Sequence, residues 1–302
     1  RVGAQHARRV HRGGGGHEVQ KIRIMEEVVR LAADPSLEYR GKVATVRKLV
    51  EKLQEMRAAT SAQKAPRRAR GSSEAGLASA RETLSRLEEA RVVAVLRGGH
   101  PERMLARGME LALMDGCSAI EVALDSPGAL DVLRELALTV PPSVTIGAAT
   151  VMSAKQARAA VRCGARFVTS PINPAGLTAA AHAEGALALP GGMTPSEIGA
   201  ILSEGALAVK LFPAGAYTPS TLSQVLAVGP FRNAKVMVSG GLGPSQLGEW
   251  VRAGASIVTM GGALVGKDVG IESPPGMERH AAEDDWELRG RQEAIDFFAS
   301  LL

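Results

Sequence analysis

Five times in its central stretch the chain repeats one phrase: a helical run ends in a small residue and glycine, and a short apolar strand follows at once. Gly116 precedes AIEVAL, Gly164 precedes RFVTS, Gly185 precedes LALPGG, Gly205 precedes LAVKLF and Gly254 precedes SIVTMGG. Glycine just past a helix end takes left-handed backbone without a Cβ penalty, so each marks a helix-to-strand reversal. Glycines 164, 185 and 205 are spaced by 21 and 20 residues, one strand–helix unit each. The gaps from 116 to 164 and from 205 to 254 each hold two units. Their unmarked turns fall at Pro141-Pro142 and Arg232-Asn233. Proline stands at the expected first helical position in Pro101, Pro127, Pro174, Pro195, Pro219 and Pro244, and Thr194-Pro195-Ser196-Glu197 reads as a capping box. Strands are expected at 91–97, 118–124, 143–148, 166–169, 186–189, 206–211, 235–238 and 256–259. Eight strands, each followed by a helix, predict the α/β class and a (β/α)8 TIM barrel. An open doubly wound sheet is the alternative, which eight regular units disfavour.

In such a barrel the reactive groups stand at the C-terminal ends of the strands. Alternation along the second strand puts Ile120, Val122 and Leu124 on one face and Ala119, Glu121, Ala123 and Asp125 on the other. Bulky residues meet the outer helices, so the carboxylates are expected inside. In the sixth strand Leu207, Val209 and Leu211 are expected outside, and Ala206, Ala208, Lys210 and Phe212 inside. An inward lysine is costly unless paired or used. One reading is a structural Lys210–Glu121 ion pair. The other, favoured because buried ion pairs stabilise weakly, is an amine neutralised by desolvation so that it attacks a carbonyl. Ser239-Gly240-Gly241 and Gly261-Gly262 end the last two strands, where backbone N–H groups favour phosphate or carboxylate. Arg97, before Gly98-Gly99, is a third candidate anion contact. Six scattered histidines show no ligand spacing, so no metal is expected. Cys117 and Cys163 are expected to be small buried thiols, and Trp250 to pack.

Composition divides the rest. Residues 1–72 carry seventeen Lys+Arg against seven Asp+Glu, and the remaining 230 carry nineteen against twenty-four. The basic balance belongs to the start of the chain, which removes the main support for a nucleic-acid partner. No apolar run approaches the ~18 residues of a membrane span. Residues 1–16, with Arg1, Arg8, Arg9, Arg12 and four glycines, are expected to be disordered and resemble the remnant of an organelle-targeting peptide. Residues 17–59 read as a helical extension, 60–72 as a basic linker, and 73–302 as the barrel with a closing amphipathic helix over Asp285–Leu302. Plastid stroma and cytoplasm both remain open as locations.

From Val92 to Gly266 the motifs VVAVLRGG, AIEVAL, IGAATV, FVTSP, LPGGMTPSE, VKLFPAG, VSGGLGP and MGGALV resemble, in order and spacing, the 2-keto-3-deoxy-6-phosphogluconate / 4-hydroxy-2-oxoglutarate (KDPG/KHG) aldolases. EVALDSPGALDVL and PGGMTPSEI look most like the plant and algal branch. The resemblance implies a class I aldolase without a metal or separate cofactor, acting on a small 2-keto acid through a covalent lysine Schiff base. It implies Lys210 as the Schiff-base lysine and Glu121 as general acid/base. Thr150 and Pro171 match positions at the pyruvate end, Phe212 one beside the lysine, and Arg97 an anion-binding arginine. Ser239, Gly240, Gly241, Gly261 and Gly262 match the phosphate end. It also implies a homo-oligomer, commonly a trimer.

Three positions depart from the family pattern. Asp125 stands where bacterial members carry an arginine that helps hold the pyruvate carboxylate; it either opposes that carboxylate or merely caps the next helix. Ala263 replaces a phosphate-binding serine, and Ala149 a glycine. The competing functions are a phosphate-barrel isomerase or epimerase, and a binding or scaffold protein on a retired aldolase barrel.

Overall fold

The computed structural model describes residues 73–265, 294 and 296–301, together with Arg23, Glu27 and Lys48, which are helical. The expectations for 1–16, for the linker 60–72 and for most of 17–59 and 285–302 lie outside the described residues.

Strands and helices alternate as the glycine phrase predicts. The strands are β1 (Val92–Leu96), β2 (Ala119–Ala123), β3 (Thr145–Ala149), β4 (Phe167–Thr169), β5 (Leu187–Leu189), β6 (Gly191–Gly192), β7 (Val209–Leu211), β8 (Val236–Ser239) and β9 (Ile257–Met260). The helices are α1 (Ser73–Ala90), α2 (Pro101–Ala112), α3 (Ala129–Thr139), α4 (Ala154–Arg162), α5 (Leu177–Ala183), α6 (Pro195–Ser203), α7 (Pro219–Ala227), α8 (Leu247–Arg252) and α9 (Gly262–Val265). All strand pairs are parallel, in the order β5-β4-β3-β2-β1-β9-β8-β7-β6. β5 and β6 are one strand interrupted at Pro190, whose carbonyl accepts from the Lys210 N–H at 2.8 Å. Since β5 pairs with β4 and β6 with β7, that interrupted strand closes the barrel. Gly116, Gly164, Gly185, Gly205 and Gly254 all have positive φ, as their place after a helix requires.

The pleat sorts the apolar residues into two clusters. Val92, Ala94, Leu96, Ile120, Val122, Ile146, Val168, Val209, Leu211, Val236, Val238, Val258 and Met260 face the helices, where Trp250 and Phe298 also pack. Val93, Ala119, Phe167, Leu187, Leu189, Ala208, Met237 and Ile257 fill the interior with Ala80, Leu84, Leu87 and Ala90 of α1. The helix α1 therefore plugs the mouth at the strand N-termini, a role its sequence had not announced. Its polar contacts reach the loops that enter the strands: Ser79 Oγ to the Gly185 carbonyl at 2.9 Å, Arg86 Nη1 to the Pro142 carbonyl at 3.2 Å, and Glu88 to Lys235 Nζ at 2.6 Å. A Cβ on Gly76 would collide with the His182 carbonyl, so glycine permits the close approach of α1 to α5.

Three local expectations are corrected. Pro101, Pro195 and Pro219 do open helices, and Pro244 opens a 3-10 turn leading into α8, but Pro127 and Pro174 stand before left-handed Gly128 and Gly176, which cap α3 and α5. The sixth expected strand shortens to Val209–Leu211, and its lower alternation fails: Ala206 joins the outer cluster while Leu207 packs against the inner one. The Ala206 N–H bonds back to Ile201 in α6, so the pleat phase begins only beyond it. Asp125 does not cap α3, whose N-cap is Gly128 without a side-chain bond. The capping box at Thr194 and Glu197 forms with both of its reciprocal bonds.

Candidate active site

The inward phase of β2 and β7 carries Glu121 and Lys210 into the barrel, where their residues are 0% and 5% exposed. Lys210 Nζ lies 3.8 Å from Glu121 Oε1, close enough for attraction and too far for a hydrogen bond. Between them stands Thr169, at the end of β4. Its hydroxyl accepts from Lys210 Nζ at 3.1 Å and donates to Glu121 Oε2 at 2.9 Å. Among the described residues, Glu121 Oε1 is buried with no hydrogen-bond partner.

The surroundings explain the state of the amine. Burial pushes the Lys210 ammonium below its ordinary value of 10.5; Glu121 opposes that shift and Arg97 reinforces it. The phenyl ring of Phe212 lies 5.9 Å from Nζ and stands against Gly240. Gly147 pairs with Glu121 across β2 and β3, and a Cβ there would enter the ring of Phe167. Glycine at 147 thus lets an aromatic wall close beside the carboxylate.

A second group forms at the rim, because β1, β2 and β3 are neighbours and release their following residues side by side. Arg97 Nη2 donates to Thr150 Oγ1 at 2.8 Å, and Arg97 Nε lies 3.3 Å from Asp125 Oδ1. Both charged side chains are about half exposed, so their attraction is screened and worth at most about 1 kcal/mol. Asp125 therefore lies against Arg97 at the mouth. Thr150 has φ 56°, a conformation that costs a β-branched residue on the order of 1–3 kcal/mol and is typical of functional sites. It is held there by the flanking ladder, in which Val151 N donates to the Thr169 carbonyl at 3.0 Å.

The remaining expected residues converge on the same end. Pro171 follows β4 and lies against Gly191, the register partner of Lys210. Ser239 closes β8 and is paired in register with Thr259 of β9, so the Gly240-Gly241 and Gly261-Gly262 turns leave adjacent strands. Sequence reasoning missed Thr169. Its signal was only two residues long, since β4 holds a single alternation, Phe167 and Thr169, on the inner face. Cys117 and Cys163 are buried away from this cluster, and burial pushes the Cys117 thiol up to about 12.

A family model described as "KDPG and KHG aldolase" matches residues 83–275. The 2-dehydro-3-deoxy-6-phosphogalactonate aldolase of Escherichia coli strain K12 is 28% identical over 204 residues, which is 68% of this chain and 96% of the relative. Among solved structures, the 2-keto-3-deoxy-6-phosphogluconate aldolase of Zymomonas mobilis is 28% identical, with a TM-score of 0.53 over 62% of this chain and 90% of that one. A KDPG aldolase of Legionella pneumophila, with pyruvate captured at low pH as a covalent carbinolamine, shares the fold. It is 23% identical with a TM-score of 0.58, covering 72% of this chain and 97% of that one.

Proposed function

The chain belongs to the KDPG and KHG aldolase family, and we propose that it is a class I aldolase that reversibly cleaves a 2-keto-3-deoxy sugar acid phosphate, or 4-hydroxy-2-oxoglutarate, to pyruvate and an aldehyde. The observation that carries this reading is a buried amine at Lys210, lowered in proton affinity and 3.8 Å from the carboxylate of Glu121. A neutral amine in a dry cavity is a nucleophile, and a carboxylate beside it supplies proton transfer.

The chemistry then follows from these groups. Lys210 Nζ attacks the C2 ketone, and Glu121 delivers the proton with which the carbinolamine hydroxyl leaves as water. In the resulting iminium, Glu121 takes the proton of the C4 hydroxyl. The C3–C4 bond breaks, its electron pair moves into the iminium to form an enamine, and the aldehyde departs. Protonation of the enamine at C3 and hydrolysis release pyruvate and restore the amine. Lysine itself is the covalent carrier, so this cycle needs no separate cofactor.

Recognition divides between the two ends of the substrate. Arg97 and Thr150, with Pro171 and Phe212 as the packing wall, take the pyruvate end in this proposal. Ser239, Gly240, Gly241, Gly261 and Gly262 take the phosphate end with backbone N–H groups. Asp125, paired with Arg97, lowers the positive charge available to the carboxylate. A substrate carboxylate must therefore compete with it for the guanidinium. A trimer, implied by the resemblance, belongs to the same proposal.

The test is reduction with cyanoborohydride in the presence of pyruvate, followed by peptide mass spectrometry. A covalent pyruvyl adduct on Lys210 is expected; no adduct would return the barrel to the isomerase or scaffold alternatives. A panel of phosphorylated and unphosphorylated 2-keto-3-deoxy acids then ranks the substrates by rate of pyruvate release.

A further inference from the structure

The buried hydroxyl of Thr169 occupies an unusual position. It lies inside the barrel, 0% exposed, and bonds at once to the nitrogen and the carboxylate assigned to the chemistry. The direct Lys210–Glu121 separation of 3.8 Å exceeds hydrogen-bond reach, whereas each half of the path through Thr169 is an ordinary hydrogen bond. The directions of the two bonds are also consistent with transfer, since Lys210 donates to Oγ1 and Oγ1 donates to Oε2.

Resting on the aldolase reading, we propose that Thr169 is the proton relay between Lys210 and Glu121. The ammonium gives one proton to Oγ1 while Oγ1 gives its own to Oε2. The hydroxyl ends as it began, the amine is neutral, and the carboxyl is protonated. That is the pair needed for attack on the ketone and for loss of the carbinolamine hydroxyl as water. The reverse transfer resets the site after hydrolysis. A side chain of the same shape without a hydroxyl keeps the packing and breaks the path.

Thr169→Val and Thr169→Ser separate relay from packing. The readouts are the rate of adduct formation with pyruvate and the exchange of pyruvate C3 protons in deuterated water, followed by NMR across pH. Thr169→Val is expected to slow both by about tenfold to a hundredfold, with KM for pyruvate within about twofold. Thr169→Ser is expected to restore most of the rate. The pH profile supplies a readout that packing alone does not move. The hydroxyl accepts from the ammonium and donates to the carboxylate, so it favours both charged forms. Its loss favours the neutral amine, and the acidic limb shifts to lower pH even as the plateau falls. Glu121 on β2 and Arg97 after β1, the latter paired with Asp125, are the charged groups acting on Lys210 in both variants. A valine variant with the wild-type rate and profile, or a serine variant as slow as valine, overturns the relay while a wild-type adduct leaves the aldolase intact. A wild-type chain that forms no adduct overturns the aldolase reading itself.

Discussion

At the strand N-termini the barrel interior is hydrocarbon: Leu84 and Leu87 of α1 press on Val93, Ala119, Leu187 and Ile257. Toward the opposite end the inward phase of β2, β4, β7 and β8 carries Glu121, Thr169, Lys210 and Ser239, with Arg97, Asp125 and Thr150 at the rim. The plugged end uses burial for stability, each large apolar side chain contributing roughly 1.5–3 kcal/mol. The opposite end uses burial to disfavour charge on a lysine, which costs stability and lowers the proton affinity of the amine. One barrel thus holds two interiors, and a helix with no part in the chemistry excludes water from below the site.

The comparison breaks most visibly at Lys210. Lys210→Ala is expected to abolish the pyruvate adduct altogether, read by mass spectrometry of the reduced protein. In the wild type the rate of adduct formation should rise with pH through an inflection below 10.5, because the amine reacts only when neutral and its pKa is lowered. Glu121→Gln comes next. Adduct formation should slow by about 10²–10⁴-fold, and the inflection should move lower still, since the carboxylate that favours the ammonium is gone. At the plugged end Leu87→Ala should destabilise the fold by about 2–5 kcal/mol in urea unfolding. Below the transition it should leave the extent of trapping unchanged, which sharpens the separation of the two interiors. The smallest effect belongs to the rim. Asp125→Asn should free Arg97 and lower KM for pyruvate by at most about fivefold, the worth of one screened ion pair.

Parts of this arrangement were readable in advance, for reasons that can be traced to particular residues. The left-handed glycines at 116, 164, 185, 205 and 254 counted the strand–helix units, and the inward phase of Glu121 and Lys210 followed from their bulky outward neighbours. Leu207 defeated the same argument, because alternation holds only where the backbone is paired in the sheet. Thr169 escaped because a three-residue strand has no periodicity to read. For Asp125 the linear sequence offers two roles, an opponent of the substrate carboxylate or a helix cap. Its pairing with Arg97 needs the ends of β1 and β2 to be side by side.

The linear order of residues therefore determined the strand–helix repeat, the turn glycines and the inward phase of Glu121 and Lys210. Those are local properties, set by backbone sterics and a pleat of period two. The tertiary structure alone decided that α1 seals one mouth, that Asp125 pairs with Arg97, and that a threonine on β4 joins a lysine on β7 to a glutamate on β2. Such contacts arise only on closure. Parallel strands distant in sequence then aim their inward side chains at one axis, and the order and register of the sheet set which of them meet.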